Sequence, residues 1–386
     1  MAVLTPHLSP TRALDPQIAA AAAGRHAAWA ERERTLHPQV AAATTEGGFA
    51  RHFVPLRWGG RAGGFAQVHQ AAALVGEACA SSGWWAVLQA AHGRLAAHLP
   101  EQAQHDLWAG SPDVPIAAAI GTCGGRATAA DGGWVLEGRW NFASGVDHAD
   151  WVLLAAEPRP APGPAGPAGP LVLLVPREQV RIEQQWSGVG LRGSGSHSVG
   201  VTRAVVPAHR AVALAAMGAG LGPHADHDCH RIPFTLVASL LFAAPALGAA
   251  RGAVRAWTDL VLGGPDAAAR LAGDGALQQA LARSTAEVDA AGLLLDAAAR
   301  RADAEPRSTL ARSVALNQRD CAVAVDMLAA ATERLYRHAG ARAQLEDCAL
   351  QRHWRDVHAI AAHAVLQLGP AAAAYAAQAL PAPARP

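Results

Sequence analysis

A block of short strand-like runs in the middle of the chain constrains its fold more than any other feature. Between about residues 114 and 212, β-branched and leucine residues gather in runs bounded by Gly, Pro or Asp, which is typical of β-strands. The runs cover residues 134–137, 151–154, 171–175 and 198–201. They predict a small antiparallel β-domain.

Helix-favouring composition lies on both sides of this block. Residues 14–108 and 233–380 are rich in Ala, Leu, Glu, Gln and Arg, which lose little side-chain freedom in a helix. We therefore predict a mainly α fold with a central antiparallel β-domain. The predicted parts are an N-terminal helical domain at 1–113, the β-domain at 114–215, a C-terminal helical bundle at 216–380 and a disordered tail at 381–386. A Pro- and Gly-rich stretch at 158–167 is predicted to be a surface loop.

Composition excludes several classes of function. The formal net charge is +1, so we expect no broad electrostatic attraction to nucleic acid or to an acidic membrane. The chain contains no lysine, which excludes a Schiff-base lysine and the phosphate-binding lysine of P-loop proteins and kinases. Its five cysteines form no Cys-x-x-Cys pair, and its Ala-rich runs are interrupted by polar residues. We expect a reduced, cytoplasmic protein without a membrane span.

Two segments of the predicted β-domain carry a family resemblance. Glu137 to Trp151 reads EGRWNFASGVDHADW, and Gly188 to Ser198 reads GVGLRGSGSHS. Together they resemble flavoproteins with the acyl-CoA dehydrogenase fold, and the Phe-Ala-Ser-Gly sequence is similar to the oxygenase components of two-component flavin monooxygenases. The resemblance covers about residues 53–363 and implies N-terminal helices, a middle β-domain and a C-terminal four-helix bundle. It also implies a homotetramer, or a dimer, in which flavin lies between the β-domain and a neighbour's helices.

The resemblance implies a monooxygenase reaction. Such a protein takes reduced FAD or FMN (FADH2 or FMNH2) from a separate NAD(P)H flavin reductase and lets it react with O2. A flavin C4a-hydroperoxide then hydroxylates an aromatic or heteroatom-containing small molecule.

Two alternatives remain open on the same scaffold. One is an acyl-CoA dehydrogenase that oxidises a thioester with tightly bound FAD, and the other is a non-catalytic binding protein. The glutamate that dehydrogenases use as a base is absent beside His363. Three other glutamates could replace it, namely Glu287, Glu333 and Glu346.

Three residues are predicted to be catalytic. Ser144 is expected to hold the flavin N5 proton, because the C4a-hydroperoxide collapses to hydrogen peroxide unless that proton is retained and water is excluded. His363 is expected to act as a base toward the substrate or as a proton donor, since histidine titrates near neutral pH. His92 resembles a histidine that relatives place beside the substrate.

The resemblance also implies residues that bind the flavin. Trp186 would flank the ring, and Arg255 or Arg270 would contact phosphate. Gly340 and Arg342 belong to a segment that resembles a loop reaching a neighbour's flavin. The predicted cofactor-binding residues are Phe142, Ala143, Ser144, Trp186, Arg255, Arg270, Gly340 and Arg342.

Two further motifs have simpler interpretations. Residues 188–193 match the dinucleotide fingerprint Gly-x-Gly-x-x-Gly, but the sequence that follows alternates like a strand. We predict a Gly/Ser loop there, close to flavin or substrate. His224 to His230 combines three histidines, two aspartates and a cysteine, which are ligands suited to zinc or iron. Because no second ligand cluster appears elsewhere, we predict a polar connector or entrance loop and no metal site.

Overall fold

Helices, a central sheet and a helical bundle follow one another along the chain. This architecture comes from a computed structural model that describes residues 13–159, 169–221, 227–263, 266–304 and 310–379. The predicted tail at 381–386 and most of the predicted loop at 158–167 lie outside the described residues. The order of the elements is the one that the sequence predicts.

The N-terminal part of the described chain is helical. Its helices are α1 (Pro16–Glu33), α2 (Pro38–Glu46), α3 (Phe65–Ala78), α4 (Ala80–Ala96) and α5 (Glu101–Trp108). Helix α1 begins where the Asp15 carboxylate accepts a hydrogen bond from the backbone N–H of Gln17 at 3.0 Å. Every residue of α4 is buried, because this helix packs against α3 and against the first strand of the sheet. The predicted residue His92 is therefore placed in the interior.

A sheet of eight strands, as far as the chain is described, forms the centre. The strands are β1 (Ile116–Ala119), β2 (Gly125–Ala130), β3 (Gly133–Ala143), β4 (Trp151–Arg159), β5 (Leu171–Pro176), β6 (Arg181–Gln184), β7 (His197–Pro207) and β8 (Ala211–Ala213). Their order is β6-β7-β3-β2-β4-β5-β8, and β1 lies beside β4. The four strand-like runs of the sequence all lie within strands.

The direction of two strand pairs differs from the prediction. β1 and β2 both pair with β4 in the parallel direction, so the sheet is mixed rather than wholly antiparallel. The other pairs, such as β3 with β7 and β4 with β5, are antiparallel. Residue types favour a strand without specifying its neighbour or direction, which is why the runs did not reveal these two pairs.

The C-terminal part is again helical in the ranges that are described. Its helices are α6 (Leu214–Ala219), α7 (Asp228–Arg231), α8 (Phe234–Leu262), α9 (Ala267–Gly273), α10 (Gly275–Ala304), α11 (Leu310–Arg337), α12 (Ala349–Ala361) and α13 (Leu368–Ala379). Helices α8, α10, α11 and α12 pack against one another as a four-helix bundle. The largest hydrophobic cluster joins this bundle to α3 and α4.

Helix α8 is apolar enough to need an explanation. By length and composition alone, its segment Phe234–Val261 could cross a membrane, and 78% of that window is buried inside the fold. A helix that is apolar on all sides is also typical of the core of a large protein. Arg251 and Arg255 interrupt α8 only in its second half, and its mainly apolar composition matches its place at the centre of the bundle.

Candidate functional site

The chain turns sharply at the end of β3 and presents Ser144. Phe142 has a φ of 65° and Gly145 a φ of 69°, both in the left-handed region that is costly for most side chains. A Cβ on Gly145 would lie 2.1 Å from the ring of Trp85, so glycine is needed there for space as well as for conformation. The Gly145 N–H donates to the carbonyl oxygen of Ser194 at 2.9 Å. These contacts fix Ser144 between the sheet and the Gly/Ser loop.

Ser144 belongs to a buried chain of hydroxyl groups. Its Oγ accepts a hydrogen bond from the indole Nε1 of Trp84 at 3.2 Å. It also lies 2.8 Å from Ser196 Oγ, which in turn lies 2.7 Å from Ser194 Oγ. All three serines are buried. The structure thus gives Ser144 specific partners, while its role toward flavin stays a prediction.

His363 contacts the same tryptophan as Ser144. The ring centroids of His363 and Trp84 are 5.8 Å apart, and His363 stacks on Phe242 at 4.4 Å. Trp84 and Phe242 also contact each other, with centroids 5.0 Å apart. Two predicted catalytic residues that are far apart in the sequence therefore share one neighbour.

His363 lies outside an α-helix, although the sequence predicts a helical bundle over residues 216–380. Helix α12 ends at Ala361, where the Gln367 side-chain amide donates to the Ala361 carbonyl oxygen at 2.8 Å. His363 begins a short 3-10 turn, and its Nδ1 accepts from the backbone N–H of Val365 at 3.4 Å. In the neutral ring the proton is then on Nε2. Burial lowers the pKa of His363, so the ring is neutral at pH 7 and offers an N–H to a ligand.

His92 has the opposite arrangement of its ring nitrogens. Its Nδ1 lies 2.7 Å from the carbonyl oxygen of Ile116 at the start of β1. A carbonyl only accepts, so Nδ1 carries the proton and Nε2 keeps a lone pair. Burial lowers the pKa of His92 to about 4, although the hydrogen bond to Ile116 opposes this shift. His92 is therefore a neutral acceptor at pH 7, and its contact with substrate stays a prediction.

Phe142 and Trp186 form an aromatic edge next to the Ser144 turn. Their ring centroids are 6.0 Å apart and their planes are nearly perpendicular. Phe142 is 66% exposed, which leaves a flat apolar surface open to a ligand or a neighbouring chain. Ala143, between Phe142 and Ser144, is buried and pairs with His197 across the sheet.

A histidine–aspartate pair fixes the backbone of Trp186. The Trp186 N–H donates to His197 Nδ1 at 2.8 Å, and His197 Nε2 donates to Asp147 Oδ2 at 2.8 Å. The Thr35 hydroxyl donates to the same carboxylate oxygen at 2.7 Å. Burial raises the pKa of Asp147, but the hydrogen bonds from His197 and Thr35 outweigh burial and leave this pKa lowered. No pattern in the sequence indicates this pair, because His197 and Asp147 lie 50 residues apart.

The sequence predicts that the Gly/Ser loop is not a dinucleotide-binding turn, and the structure agrees. Arg192–Ser194 is only a short 3-10 turn, and strand β7 follows it directly. Leu191 has a φ of 49°, and its N–H donates to Asp356 Oδ1 on α12 at 2.6 Å. Burial raises the pKa of Asp356 to about 7. The loop is thus anchored to the C-terminal bundle.

A groove of about 640 Å³ contains Arg255, one of the two arginines predicted to contact phosphate, and Arg342, which was predicted to belong to a loop that reaches a neighbour's flavin. Arg255 on α8 and Arg342 in the turn after α11 both line it. Arg255 is paired with Glu77 on α3, and its side chain is mainly exposed. Arg342 Nη2 donates to the carbonyl oxygen of Leu260 at 3.4 Å. Glu77, Asp259 and Asp347 line the same groove, so an anion there meets carboxylates as well as guanidinium groups.

Gly340 and Arg270, two other predicted cofactor-binding residues, lie in different surroundings. Gly340 begins the turn that carries Arg342, with a φ of 75°, and a Cβ there would meet nothing within 4 Å. Its backbone conformation, rather than space, favours glycine. Arg270 is exposed on α9 and lies outside the described lining of the groove. Of the two arginines predicted to contact phosphate, Arg255 lines the groove and Arg270 does not, and both assignments stay predictions.

The histidine-rich run at 224–230 is only partly described, because residues 224–226 lie outside the described ranges. Cys229 and His230 are buried, and His230 Nε2 donates to the carbonyl oxygen of Phe53 at 2.6 Å. Burial lowers the pKa of His230 to about 4. No group of three or more His, Cys, Asp or Glu residues in the described part of the chain is placed to hold a metal. The prediction of a connector or entrance loop remains untested.

Comparisons with known proteins bear on this site. The family model described as "Acyl-CoA dehydrogenase, C-terminal domain" matches residues 240–368. The oxygenase component of the FADH2-dependent resorcinol hydroxylase from a Rhizobium species is 33% identical over 327 residues, which cover 80% of this chain and 79% of that protein. The chain belongs to the oxygenase components of flavin-dependent monooxygenases.

This monooxygenase component has further relatives of similar length. Oxygenase subunit HsaA from Rhodococcus jostii is 30% identical over 335 residues, covering 83% of this chain and 86% of that protein. The crystal structure of 3-HSA hydroxylase from Rhodococcus sp. RHA1 has a TM-score of 0.83 at 27% identity and covers 94% of this chain and 95% of that one. The predicted family, fold class, oxidoreductase activity and use of reduced flavin with O2 are confirmed.

Some residues of the candidate site had no signal in the sequence. Phe242 lies in an apolar stretch of α8, where nothing distinguishes it from a core residue. Trp84 lies in an Ala-rich stretch where a tryptophan is usually a core residue, yet it joins Ser144 to His363. Ser194 and Ser196 lie in the Gly/Ser loop, which the sequence predicts to approach flavin or substrate. Their hydrogen-bonded chain to Ser144 could not be predicted from the sequence.

Proposed function

We propose that this oxygenase component hydroxylates an aromatic or heteroatom-containing small molecule where Ser144, Trp84 and His363 meet. The observation that carries the proposal is the shared contact of Ser144 and His363 with Trp84. Trp84 and Phe242 add flat apolar surface, which suits a ring-shaped substrate. The names of relatives such as the resorcinol hydroxylase and p-hydroxyphenylacetate 3-hydroxylase support a phenolic class.

The residues of the site fit a reduced flavin. Phe142 and Trp186 offer apolar ring surface beside the turn that presents the Ser144 hydroxyl. Arg255 and Arg342 line a groove where they would hold a phosphate, with Glu77 already paired to Arg255. Bound reduced flavin supplies the electrons that activate O2. The protein contributes binding, orientation, proton placement and exclusion of water.

His92 and His363 have complementary roles in this proposal. His92 Nε2 is an acceptor, so a phenolic O–H of a bound substrate can donate to it. His363 Nε2 carries a proton and can donate to an oxygen atom near the reacting centre. The buried Trp84 and the partly buried Phe242 limit the access of water to the place where these groups act.

The dehydrogenase alternative gains no support from the three glutamates that could have served it. Glu287 is paired with Arg334 at 2.8 Å, Glu333 accepts from Trp354 Nε1 at 2.6 Å, and Glu346 is exposed. A carboxylate that is paired or solvated is a poor base for a weakly acidic C–H bond. The family assignment as a monooxygenase also argues against a non-catalytic scaffold.

The remaining parts of the proposal concern partners and location. As an oxygenase component, the chain works with a separate reductase, which we propose to be an NAD(P)H flavin reductase. We further propose that it forms a homotetramer or dimer, is cytoplasmic and binds neither nucleic acid nor membrane. The near-zero net charge and the absence of Cys-x-x-Cys pairs support these last points. Light scattering would establish the oligomeric state.

The experiment that tests the function mixes anaerobic protein and reduced flavin with O2 and a panel of phenols, indoles and thiophenes. Hydroxylated product is quantified by mass spectrometry and hydrogen peroxide by a coupled assay. We expect at least one ring compound to be hydroxylated with a matching decrease in peroxide. Peroxide release that no compound reduces, together with bleaching of bound FAD by an acyl-CoA without O2, would support the dehydrogenase instead.

A further inference from the structure

Trp186, one half of the aromatic edge with Phe142, lies just beyond the end of the sheet. Strand β6 ends at Gln184, which pairs with Ser198 on β7, so Trp186 follows the last pair of these two strands. The side chain of His197 continues the pairing there, because its Nδ1 accepts from the backbone N–H of Trp186 at 2.8 Å. An N–H that loses its acceptor away from water is unfavourable. His197 therefore determines where the backbone of Trp186 lies.

The partners of His197 fix the state of its ring. A backbone N–H only donates, so Nδ1 accepts and the neutral ring carries its proton on Nε2. Nε2 then donates to Asp147 Oδ2 at 2.8 Å. His197 is 4% exposed, so water cannot easily replace either partner. The direction of both hydrogen bonds is therefore determined by Trp186 and Asp147.

Asp147 connects this histidine to the turn that presents Ser144. It lies in the 3-10 turn Val146–His148, directly after Gly145, and its Oδ2 also accepts from the Thr35 hydroxyl at 2.7 Å. His197 itself pairs with Ala143, the residue before Ser144, across the sheet. The His197–Asp147 pair thus joins Trp186 to both ends of the Ser144 turn.

We propose that His197 and Asp147 are positioning residues for flavin, which hold Trp186 at a fixed place relative to the Ser144 turn before the flavin binds. The inference rests on the proposed function, because it takes Trp186 and Ser144 to contact the flavin ring. The indole of Trp186 is fixed as well, since its Nε1 donates to the carbonyl oxygen of Leu191 at 2.9 Å. A preformed surface loses less freedom on binding than a mobile one, so this pair strengthens the binding of reduced flavin.

Two substitutions of His197 separate its two hydrogen bonds. His197→Asn places an amide oxygen near the position of Nδ1, so it keeps an acceptor for Trp186 and loses the bond to Asp147. His197→Gln places its amide near the position of Nε2, so it keeps the bond to Asp147 and loses the acceptor. Calorimetry with reduced FMN and reduced FAD under nitrogen gives the dissociation constants. We expect a rise of about five- to tenfold in His197→Gln and of less than about threefold in His197→Asn.

A double-mutant cycle shows whether His197 acts through Trp186. Trp186→Leu removes the indole, so the position of this residue no longer matters to the flavin ring. His197→Gln should then raise the dissociation constant by less than about twofold in the Trp186→Leu protein. An effect of His197→Gln that is equally large with and without the indole would contradict the inference.

Substitutions of Asp147 provide a second measurement if the His197 variants do not fold. Asp147→Asn keeps an oxygen that accepts from His197, and its dissociation constant should stay within about twofold of the wild type. Asp147→Ala leaves Nε2–H without its acceptor, and the constant should rise about fivefold. The matched control is His209→Gln, because His209 Nε2 forms a similar pair with Asp106 Oδ2 at 2.9 Å after the far end of β7. This control should bind flavin as the wild type does.

The outcomes separate this inference from the proposed function. Equal dissociation constants in His197→Asn and His197→Gln would mean that His197 only fills space, and the inference would be wrong. Equal constants in Asp147→Asn and Asp147→Ala would overturn it in the same way. In both cases the wild-type protein still binds reduced flavin and the proposed function stands. If the wild-type protein binds neither reduced FMN nor reduced FAD, the proposed function itself fails.

Discussion

His363 and His92 offer opposite hydrogen-bonding groups to a bound molecule. His363 carries its proton on Nε2 because Val365 donates to Nδ1, and His92 keeps a lone pair on Nε2 because its Nδ1 donates to Ile116. Burial lowers the pKa of both rings, so both are neutral at pH 7. Neither histidine therefore needs to change its charge when it binds a neutral phenol.

A substitution of His363 tests its role directly. We expect His363→Ala to lower the rate of hydroxylation by about 10²- to 10⁴-fold, because it removes the Nε2 proton donor. The peroxide released per reduced flavin should rise at the same time. Rapid mixing with O2, followed by chromatography of the product and a peroxide assay, measures both.

His358 provides the matched control for that substitution. It lies five residues earlier on α12, where its Nδ1 bonds to the Trp354 carbonyl oxygen at 2.8 Å, and it is partly exposed. His358→Ala should keep a rate within about threefold of the wild type. Equal losses in the two variants would contradict a specific role for His363.

Single residues differ in how much of their role could be predicted from the sequence. Ser144 stands in a recognisable Phe-Ala-Ser-Gly sequence, and His363 stands beside the place where dehydrogenases carry their glutamate. Trp84 lies far from both in the sequence, and no local pattern shows that its indole bonds to Ser144. Such a contact depends on how α4 packs against the sheet, which residue types and spacing do not determine.

At the scale of elements, the turn after β3 depends on one glycine. Gly145 has a φ of 69°, and a Cβ there would lie 2.1 Å from the Trp85 ring. We expect Gly145→Ala to lower the free energy of unfolding by at least about 3 kcal/mol, because backbone strain and a clash in the core add. Chemical denaturation measures this change.

Gly132→Ala is the control that tests the left-handed backbone conformation without a steric clash of the new methyl group. It has a φ of 72° at the tip of the β2–β3 hairpin, and a Cβ there would meet nothing within 4 Å. Gly132→Ala should therefore cost only about 1 kcal/mol. If Gly145→Ala lowers the free energy of unfolding no more than Gly132→Ala does, the turn can rearrange to accommodate the extra methyl group.

The groove between α8 and the turn after α11 allows the predicted arginines to be distinguished. Arg342→Ala should weaken the binding of reduced flavin by about tenfold, because it removes a guanidinium that lines the groove. Arg270→Ala removes the same charge from exposed α9 and should change the dissociation constant by less than about twofold. Anaerobic calorimetry measures both constants, and equal effects would mean that net charge rather than the groove determines binding.

The positions of helices and strands were easier to predict from the sequence than the way in which they pair and pack. Short runs such as residues 171–175 were correctly assigned to strands, because β-branched and leucine residues between turn signals are a local property. The parallel direction of β1 and β2 against β4 depends on connections that bring distant segments together. The end of α12 at Ala361 likewise depends on the Gln367 side chain and the turn at His363, in a stretch whose composition favours a longer helix.

At the scale of the whole molecule, the fold buries many neutral histidines. Burial is the largest cause that lowers the pKa of each to about 3 or 4, well below the ordinary value of 6.5. They are His52, His69, His92, His98, His230 and His353. In the unfolded chain these residues take up protons near pH 6.5, whereas in the folded protein they do so only near pH 3 to 4. Folding is therefore linked to the release of protons in this window.

The sign of this linkage predicts how stability depends on pH. Between pH 6.5 and about 4 the unfolded state binds more protons, so stability is present above this window and is lost as the pH falls through it. Asp356 acts in the opposite direction, because burial raises its pKa to about 7, but it is one group against six histidines. We expect the melting temperature to fall by at least roughly 10 °C between pH 7 and pH 5.

Calorimetric melting at constant ionic strength checks this expectation, and one histidine variant tests its cause. Neither ring nitrogen of His98 has a hydrogen-bond partner in the described structure, so His98→Phe removes one titrating group without breaking a bond. This variant should lose less stability than the wild type between pH 7 and pH 5, because one fewer proton is taken up on unfolding. A melting temperature that stays constant or rises as the wild-type protein is acidified to pH 5 would mean that the buried histidines are already protonated, or hydrated, in the folded state.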